Sequence, residues 1–202
     1  MLPDTFKTIS TATEGLFKDK GSKFISFAIP IENTDEIKEV LNEYKKKYFD
    51  SRHVCYAYMI GHERTVFRAN DDGEPSGTAG RTILGQINSF QLTNVLIIVV
   101  RYFGGILLGT GGLVNAYKHA AADALDQANI IEKTVDSSIS IEFDYILMND
   151  VMRVIKEMNP TIIKQNFENN CNMLISIRNQ NFDELQSKLS EIIGLKILPE
   201  NT

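Results

Sequence analysis

Cysteines and long apolar runs are both scarce in this sequence. The two cysteines, Cys55 and Cys171, lie far apart and lack a metal-type spacing, so neither a disulfide framework nor a cysteine-based metal site organises the chain. Two buried thiols in a reducing compartment are the expected state. The longest run of aliphatic residues, Val95–Val100, is much shorter than the ~20 residues that a membrane-spanning helix needs. No membrane partner is therefore predicted.

The chain also lacks an excess of positive charge. Its 202 residues carry 21 Lys and Arg against 26 Asp and Glu, for a net charge of −5, so a polyanion would have to bind at a local patch. The N-terminus, MLPDTFKT, has neither the basic region nor the apolar region of a signal peptide. We therefore expect a cytoplasmic protein with the composition of an ordinary globular chain.

Hydrophobic periodicity predicts an α+β protein with two domains, residues 1–132 and 137–202. In the first domain, the pattern predicts strands at 5–13, 24–31, 54–60, 65–69 and 95–100, and helices from 35 to 48, from about 77 to 89 and from 113 to 128. After the connection at 132–137 the pattern begins again. Its strand–helix–strand–strand–helix–strand order is typical of a ferredoxin-like sandwich.

The stretch Phe67–Tyr117 is the most unusual part of the chain, with nine of the 13 glycines. It begins with an acidic turn that contains Asp71, Asp72 and Glu74. Three carboxylates this close could hold Mg²⁺ or receive basic groups of a partner. They could equally form a solvated hairpin turn, because Asp-Gly is a common turn sequence.

A run of small residues follows the turn, with the sequence Ser76-Gly77-Thr78-Ala79-Gly80-Arg81. A helix that begins here would present free backbone N–H groups, which form an anion site in principle. Alternatively, Ser76 or Thr78 serves only as the N-cap. The run does not have the spacing of a P-loop.

The third feature is Arg101-Tyr102-Phe103-Gly104-Gly105, directly after a buried strand. An Arg beside two aromatic rings could bind a phosphate and stack a base. In the alternative, Arg101 pairs with the acidic turn and the rings fill the core. A second glycine cluster, which includes Gly111 and Gly112, is expected to lie in a loop that opens the long helix and is a second candidate anion site.

His53 and Cys55 are predicted to be neighbours on one face of a strand. A Cys–His nucleophile is disfavoured, because the surrounding strand has the pattern of a buried one. The remaining histidines have no metal-type spacing, and the serines lie outside a nucleophile-elbow motif.

At these residues the chain resembles the YigZ/IMPACT family. The resemblance is carried by four motifs, which are KGSKF at 20–24, RHVCYAY at 52–58, DDGEPSGTAG at 71–80 and VRYFGGILLGTGGLVNAY at 100–117. The last third of the chain is similar in pattern to the C-terminal domain of the bacterial members. Two positions depart from the family pattern, with Asn115 where an Arg is frequent and Thr82 where a Pro is frequent.

The resemblance implies that the first domain has the fold of the second domain of ribosomal protein S-five, a sheet with helices on one face. It implies a ferredoxin-like second domain similar to the last domain of elongation factor G. Eukaryotic members inhibit activation of a translation-initiation-factor kinase through an additional RWD domain. This sequence is expected to lack that domain, so the kinase-activator partner does not carry over.

The favoured interpretation is a non-catalytic, RNA- or ribosome-associated regulatory protein linked to translation, without a cofactor and with an unknown oligomeric state. One alternative is a Mg²⁺-dependent enzyme that acts on a phosphorylated substrate. The other is an adaptor whose protein partner binds the Tyr56/Tyr58 face of the sheet. The predicted binding residues are Asp71, Asp72, Glu74, Ser76, Gly77, Thr78, Gly80, Arg81, Arg101, Tyr102, Phe103, Gly104, Gly105, Gly111 and Gly112.

Overall fold

A computed structural model describes residues 4–167 and 170–199. Its contacts divide the chain into two compact units. One unit is Phe6–Lys133, and the other comprises, among the described residues, 4–5, 134–167 and 170–199. Each unit has its own hydrophobic core. None of the described helices is long and apolar enough to cross a membrane.

The unit Phe6–Lys133 contains seven strands and three helices among its described residues. In chain order they are β1 (Thr5–Ile9), β2 (Thr13–Asp19), β3 (Ser22–Pro30), α1 (Thr34–Lys47), β4 (His53–Ile60), β5 (Val66–Asn70), α2 (Gly80–Ser89), β6 (Val95–Tyr102), α3 (Gly109–Asp126) and β7 (Ile130–Thr134).

Strand β6 is the centre of a five-stranded sheet of order β2-β3-β6-β4-β5, and every described pairing in this sheet is antiparallel. The run Val95–Val100 is fully buried, and each such side chain contributes about 1.5–3 kcal/mol to folding. The strand continues past this run, so Arg101 and Tyr102 belong to β6 rather than to a following loop. Because the sheet is antiparallel, the rule that places sites at the carboxyl ends of parallel strands does not apply to Arg101.

Helices cover both faces of this sheet. Helices α2 and α3 pack on one face, against side chains such as Cys55 and Ala57. Helix α1 packs on the other face, where the Tyr44 ring lies 4.8 Å from the Phe27 ring. The expectation of helices on one face is therefore wrong, because the alternating residues of β3, β4 and β6 are apolar on both sides.

The second unit has the predicted strand–helix–strand–strand–helix–strand order. Its elements are β8 (Asp136–Phe143), α4 (Met148–Met158), β9 (Thr161–Phe167), β10 (Cys171–Arg178), α5 (Phe182–Ser190) and β11 (Lys196–Leu198). The strand order is β11-β8-β10-β9. Strands β8 and β10 alternate between buried and partly exposed residues, and the buried set packs with α4 and α5 in one core. The mixed α+β, two-domain prediction is thus confirmed at this level.

Candidate functional site

The acidic turn follows β5 and is held by its own backbone. Asp72 N–H donates to the Asn70 side chain (2.9 Å), and Glu74 N–H donates to the Asp71 carbonyl (2.9 Å). Gly73 has φ +86°, a conformation that glycine adopts without strain. The three carboxylates of the turn bind three different sets of partners.

Asp71 binds the beginning of α2. Its carboxylate accepts hydrogen bonds from the backbone N–H groups of Gly77 (2.8 Å), Ala79 (3.0 Å) and Gly80 (2.8 Å). Burial alone would raise the pKa of this carboxyl, but these three hydrogen bonds outweigh burial and lower it. The N–H groups that were expected to face an anion therefore already bind a carboxylate of the chain itself.

Neither Ser76 nor Thr78 is the N-cap of α2. The Thr78 hydroxyl is buried and donates to the Pro75 carbonyl (2.7 Å), whereas Ser76 is exposed. The cap is supplied from Asp71, nine residues before Gly80. Arg81 is exposed in the first turn of α2, so it remains available to a partner.

Asp72 connects the turn to β4 and α1. Its carboxylate accepts the backbone N–H of Val54 (2.7 Å) and lies 3.6 Å from Lys45 Nζ. The Asp72 carbonyl is 2.8 Å from Nδ1 of His53. Because a carbonyl oxygen only accepts, Nδ1 carries the proton.

Glu74 is the centre of a buried polar cluster, which we call the Glu74 cluster and define as His53, Cys55, Glu74, Arg101 and Tyr117. The Glu74 side chain is 3% exposed and that of Arg101 is 6% exposed. Glu74 Oε1 accepts from Arg101 Nη1 (2.6 Å) and from the Tyr117 hydroxyl (2.8 Å), and it lies 3.8 Å from His53 Nε2. Of the two interpretations of Arg101, the structure shows pairing with the acidic turn.

Two aromatic rings pack against the Arg101 guanidinium. Its central carbon lies 5.4 Å from the Phe24 ring and 5.7 Å from the Phe103 ring, distances at which a cation is attracted to a ring face. Phe24, Arg101 and His53 stand directly opposite one another on β3, β6 and β4. Arg101 Nε is buried and has no hydrogen-bond partner among the described residues. The guanidinium is thus fixed between rings and carboxylate.

Cys55 is fully buried within the cluster. Its sulfur lies 3.0 Å from the Asp71 carbonyl and 3.3 Å from the Tyr117 hydroxyl. Burial raises the pKa of the Cys55 thiol and that of Tyr117 well above their ordinary values, and the nearby Glu74 carboxylate adds to both shifts. A thiol that stays protonated is a poor nucleophile, so the geometry opposes covalent chemistry at Cys55.

Tyr102 lies on the opposite face of the sheet from Arg101, because successive residues of a strand alternate. Its hydroxyl donates to Asp50 (2.8 Å). The predicted Arg–aromatic motif is therefore divided, with Phe103 beside Arg101 and Tyr102 on the α1 side. This division depends on β6 extending beyond its apolar run.

The glycines have different local roles. A side chain on Gly104 would overlap the Gly21 carbonyl carbon and the Ser22 nitrogen, so Gly104 allows two backbone segments to pack closely. Gly105 has φ +85° and open space around it. Gly111 and Gly112 lie inside the first turn of α3 rather than in a loop, since α3 begins at Gly109.

The three carboxylates of the turn do not form a metal site. Among residues 4–167 and 170–199, no group of three or more His, Cys, Asp or Glu side chains is placed to hold a metal ion. The Mg²⁺ alternative loses its ligand set because Asp71, Asp72 and Glu74 bind different parts of the protein.

The Tyr56/Tyr58 face does not offer the proposed adaptor surface. Tyr56 is only 8% exposed, and the partly buried Tyr58 packs against the same core, which also contains Ile37 of α1.

Sequence reasoning did not place His53, Cys55 and Tyr117 in the site. Strand alternation predicts that His53 and Cys55 share a face. It does not predict that this face meets Arg101, because the register of β4 against β6 is set by distant residues. Tyr117 lies at the end of the glycine-rich stretch, and only the packing of α3 brings it to Glu74.

Comparison with known proteins gives the family. The model of the Impact N-terminal domain matches residues 20–125. IMPACT family member YvyE of Bacillus subtilis is 32% identical over 153 residues, which cover 76% of this chain and 70% of the relative. IMPACT family member YigZ of Escherichia coli is 29% identical over 174 residues, which cover 85% of each chain.

One solved structure supports the fold. This structure, described as the crystal structure of a hypothetical protein, superposes over 100% of both chains with a TM-score of 0.75 and 26% identity. The two-domain translational regulator Yih1 matches 60% of this chain and 47% of its own at 23% identity, but the TM-score of 0.37 is too low to support a structural conclusion. The resemblance found in the motifs is confirmed, and the chain belongs to the IMPACT family.

Proposed function

We propose that this protein is a non-catalytic regulatory protein linked to translation, and that it associates with RNA or the ribosome. The observation that carries the proposal is the internal pairing of the candidate site. Glu74 binds Arg101 and Tyr117, and Asp71 and Asp72 bind backbone N–H groups. Carboxylates that are already bound in this way stabilise the local structure and have little capacity to transfer protons.

The link to translation comes from the family. The resemblance implies domains similar to those of ribosomal protein S-five and elongation factor G, together with a translational role in the eukaryotic members. A likeness of fold is only an analogy for function, so the link to translation has to be tested by experiment.

The exposed residues near the site are the ones we propose for partner binding. Ser76, Arg81, Phe103, Gly105 and Gly111 are all exposed. The buried Glu74, Thr78, Gly80 and Arg101 support these residues from within. The direct contribution of Arg101 to a phosphate would require it to leave Glu74.

Cosedimentation with ribosomes over a range of salt concentrations tests the proposal. Binding to RNA phosphates releases counterions, so retention should fall steeply as salt is raised. Retention that is absent at low salt would contradict RNA or ribosome association. A chromophoric phosphomonoester assay on the same sample would reveal a hydrolytic activity, which the proposal excludes.

A protein partner is the second candidate, favoured by the loop between β6 and α3. Ile106 is 56% exposed and Leu107 is 83% exposed, and adjacent exposed apolar side chains indicate interaction sites. Ribosome retention that resists salt and RNase but is lost in Leu107→Ser would support a protein contact at this loop instead.

A further inference from the structure

The surface on the α1 face of the sheet, next to the Glu74 cluster but on the other side of β6, carries unpaired cations. Lys18 of β2 lies directly opposite Lys23 of β3, and Lys23 lies opposite Tyr102 of β6. Arg52 lies at the same end of the sheet, because its backbone N–H donates to the Arg101 carbonyl (2.9 Å) directly before β4 begins at His53. We call Lys18, Lys23 and Arg52 the basic row.

The basic row is not neutralised within the protein. All three side chains are exposed, and none forms an ion pair with the described residues. Asp50 is the nearby carboxylate, and it accepts the Tyr102 hydroxyl. Asp19 is adjacent in sequence to Lys18, but strand alternation directs it to the other face.

The position of Lys18 opposite Lys23 lowers the stability of the unbound protein. Like charges directly opposite each other on antiparallel strands repel. The protein has a net charge of −5, so two lysines directly opposite each other are not a consequence of its overall composition. This arrangement fits an anionic partner.

The end of α1 adds further cations and a free ring. Lys46 and Lys47 are exposed, and Lys47 Nζ lies 5.3 Å from the Tyr48 ring. Phe49 is 84% exposed and immediately precedes Asp50, whose bond to Tyr102 holds this turn against the basic row. Lysines at a helix C-terminus stabilise the helix dipole, but that effect does not explain the cations on β2, on β3 and in the segment before β4.

We propose that the basic row, Lys46 and Phe49 form a binding surface for single-stranded RNA, with phosphates on the cations and a base on the Phe49 ring. Cationic grooves with aromatic stacking platforms bind single strands in this way. The proposal rests on the proposed RNA association and adds a second RNA-binding surface to the exposed residues proposed near the acidic turn. An exposed ring beside cations favours a nucleic acid over an acidic protein segment, which has no base to stack.

The experiment measures binding of the full chain to a 20-nucleotide oligouridylate over a range of salt. The test variant is Lys18→Gln/Lys23→Gln, and the matched control is Lys118→Gln/Lys164→Gln, which removes the same charge from two other exposed lysines. The test variant should bind more weakly, and its log–log salt slope should be shallower by about 1.4, because each lost phosphate contact contributes about 0.7. The control should match the wild type.

Phe49→Ser examines the stacking contribution. We expect about a 5- to 150-fold loss of affinity, which is the value of one base stack expressed as a ratio, whereas Phe49→Tyr should retain affinity. The fold should be unaffected, since Phe49 is 84% exposed.

The outcomes separate the two proposals. If the wild type binds and Lys18→Gln/Lys23→Gln keeps the wild-type affinity and slope, the surface assignment is wrong and RNA association stands. If the wild type itself does not bind, the proposed RNA association fails too. If polyglutamate of equal charge competes as well as the oligouridylate, the surface binds an acidic protein, and the RNA assignment is overturned.

Discussion

Glu74 is the residue on which the candidate site depends most. It brings a carboxylate into a buried position where Arg101 and Tyr117 both bind the same oxygen. A buried ion pair is weak support for stability by itself, but the loss of one partner leaves an uncompensated charge. The Glu74 cluster therefore fixes the acidic turn to β4, β6 and α3.

Replacement of Glu74 should be severely destabilising. We expect Glu74→Ala to lower the free energy of unfolding by about 3–5 kcal/mol, because the Arg101 charge would remain buried without a partner. Urea unfolding measures the change. Glu63→Ala, at an exposed glutamate, is the control and should stay within about 0.5 kcal/mol. A loss below about 1 kcal/mol for Glu74→Ala would show that the Glu74–Arg101 pair does not hold this part of the fold together.

The Cys55 thiol makes stability depend on pH in the alkaline range. Burial raises its pKa in the folded protein above the ordinary value of 9.0. A raised pKa contributes stability that is complete below pH 9 and is lost as the pH rises, because only the unfolded thiol then ionises. From pH 7 to pH 10, the wild type should lose about 1.4 kcal/mol more than Cys55→Ala.

Urea unfolding at both pH values, under reducing conditions, checks this expectation for the thiol. Parallel losses in the wild type and in Cys55→Ala would mean that Cys55 ionises as easily in the folded state as in the unfolded state.

At the scale of the elements, periodicity predicts most of the architecture. The buried run Val95–Val100 of β6, the amphipathic α1 and the order of the second unit all follow from local patterns. The Asp71 cap does not, because capping rules concern neighbouring residues and this cap spans nine positions. The opposite orientation of Arg101 and Tyr102 follows from alternation once β6 is known to reach Tyr102.

The register between strands is the main part of the site that the sequence does not reveal. His53 lies opposite Arg101 because β4 pairs with β6 at that position. This pairing results from the packing of residues that are distant in sequence on the two faces of the sheet. Motif reading groups Arg101, Tyr102 and Phe103 as one feature, whereas the sheet separates them by face.

Two glycines of the same stretch should respond in opposite ways to alanine. Gly104→Ala would overlap Gly21 and Ser22, and we expect a loss of about 1–3 kcal/mol from overpacking. Gly111→Ala has open space in the first turn of α3 and should gain about 0.5–1 kcal/mol. Thermal unfolding distinguishes them. Equal effects at both positions would contradict the separate roles assigned to these glycines.

At the scale of the whole molecule, the chain combines an Impact N-terminal domain with a second unit of strand–helix–strand–strand–helix–strand order. Its overall charge of −5 opposes general attraction to RNA, so binding must come from a local surface. The two faces of β6 offer different properties, a compensated buried cluster on one side and uncompensated cations on the other.

The most direct test of the account is the salt dependence of wild-type binding to a 20-nucleotide oligouridylate. The account predicts that log affinity falls linearly with log salt. If two or more phosphates are bound, the slope should be about −1.4 or steeper. The absence of binding at low salt, or an affinity that does not change with salt, would contradict it.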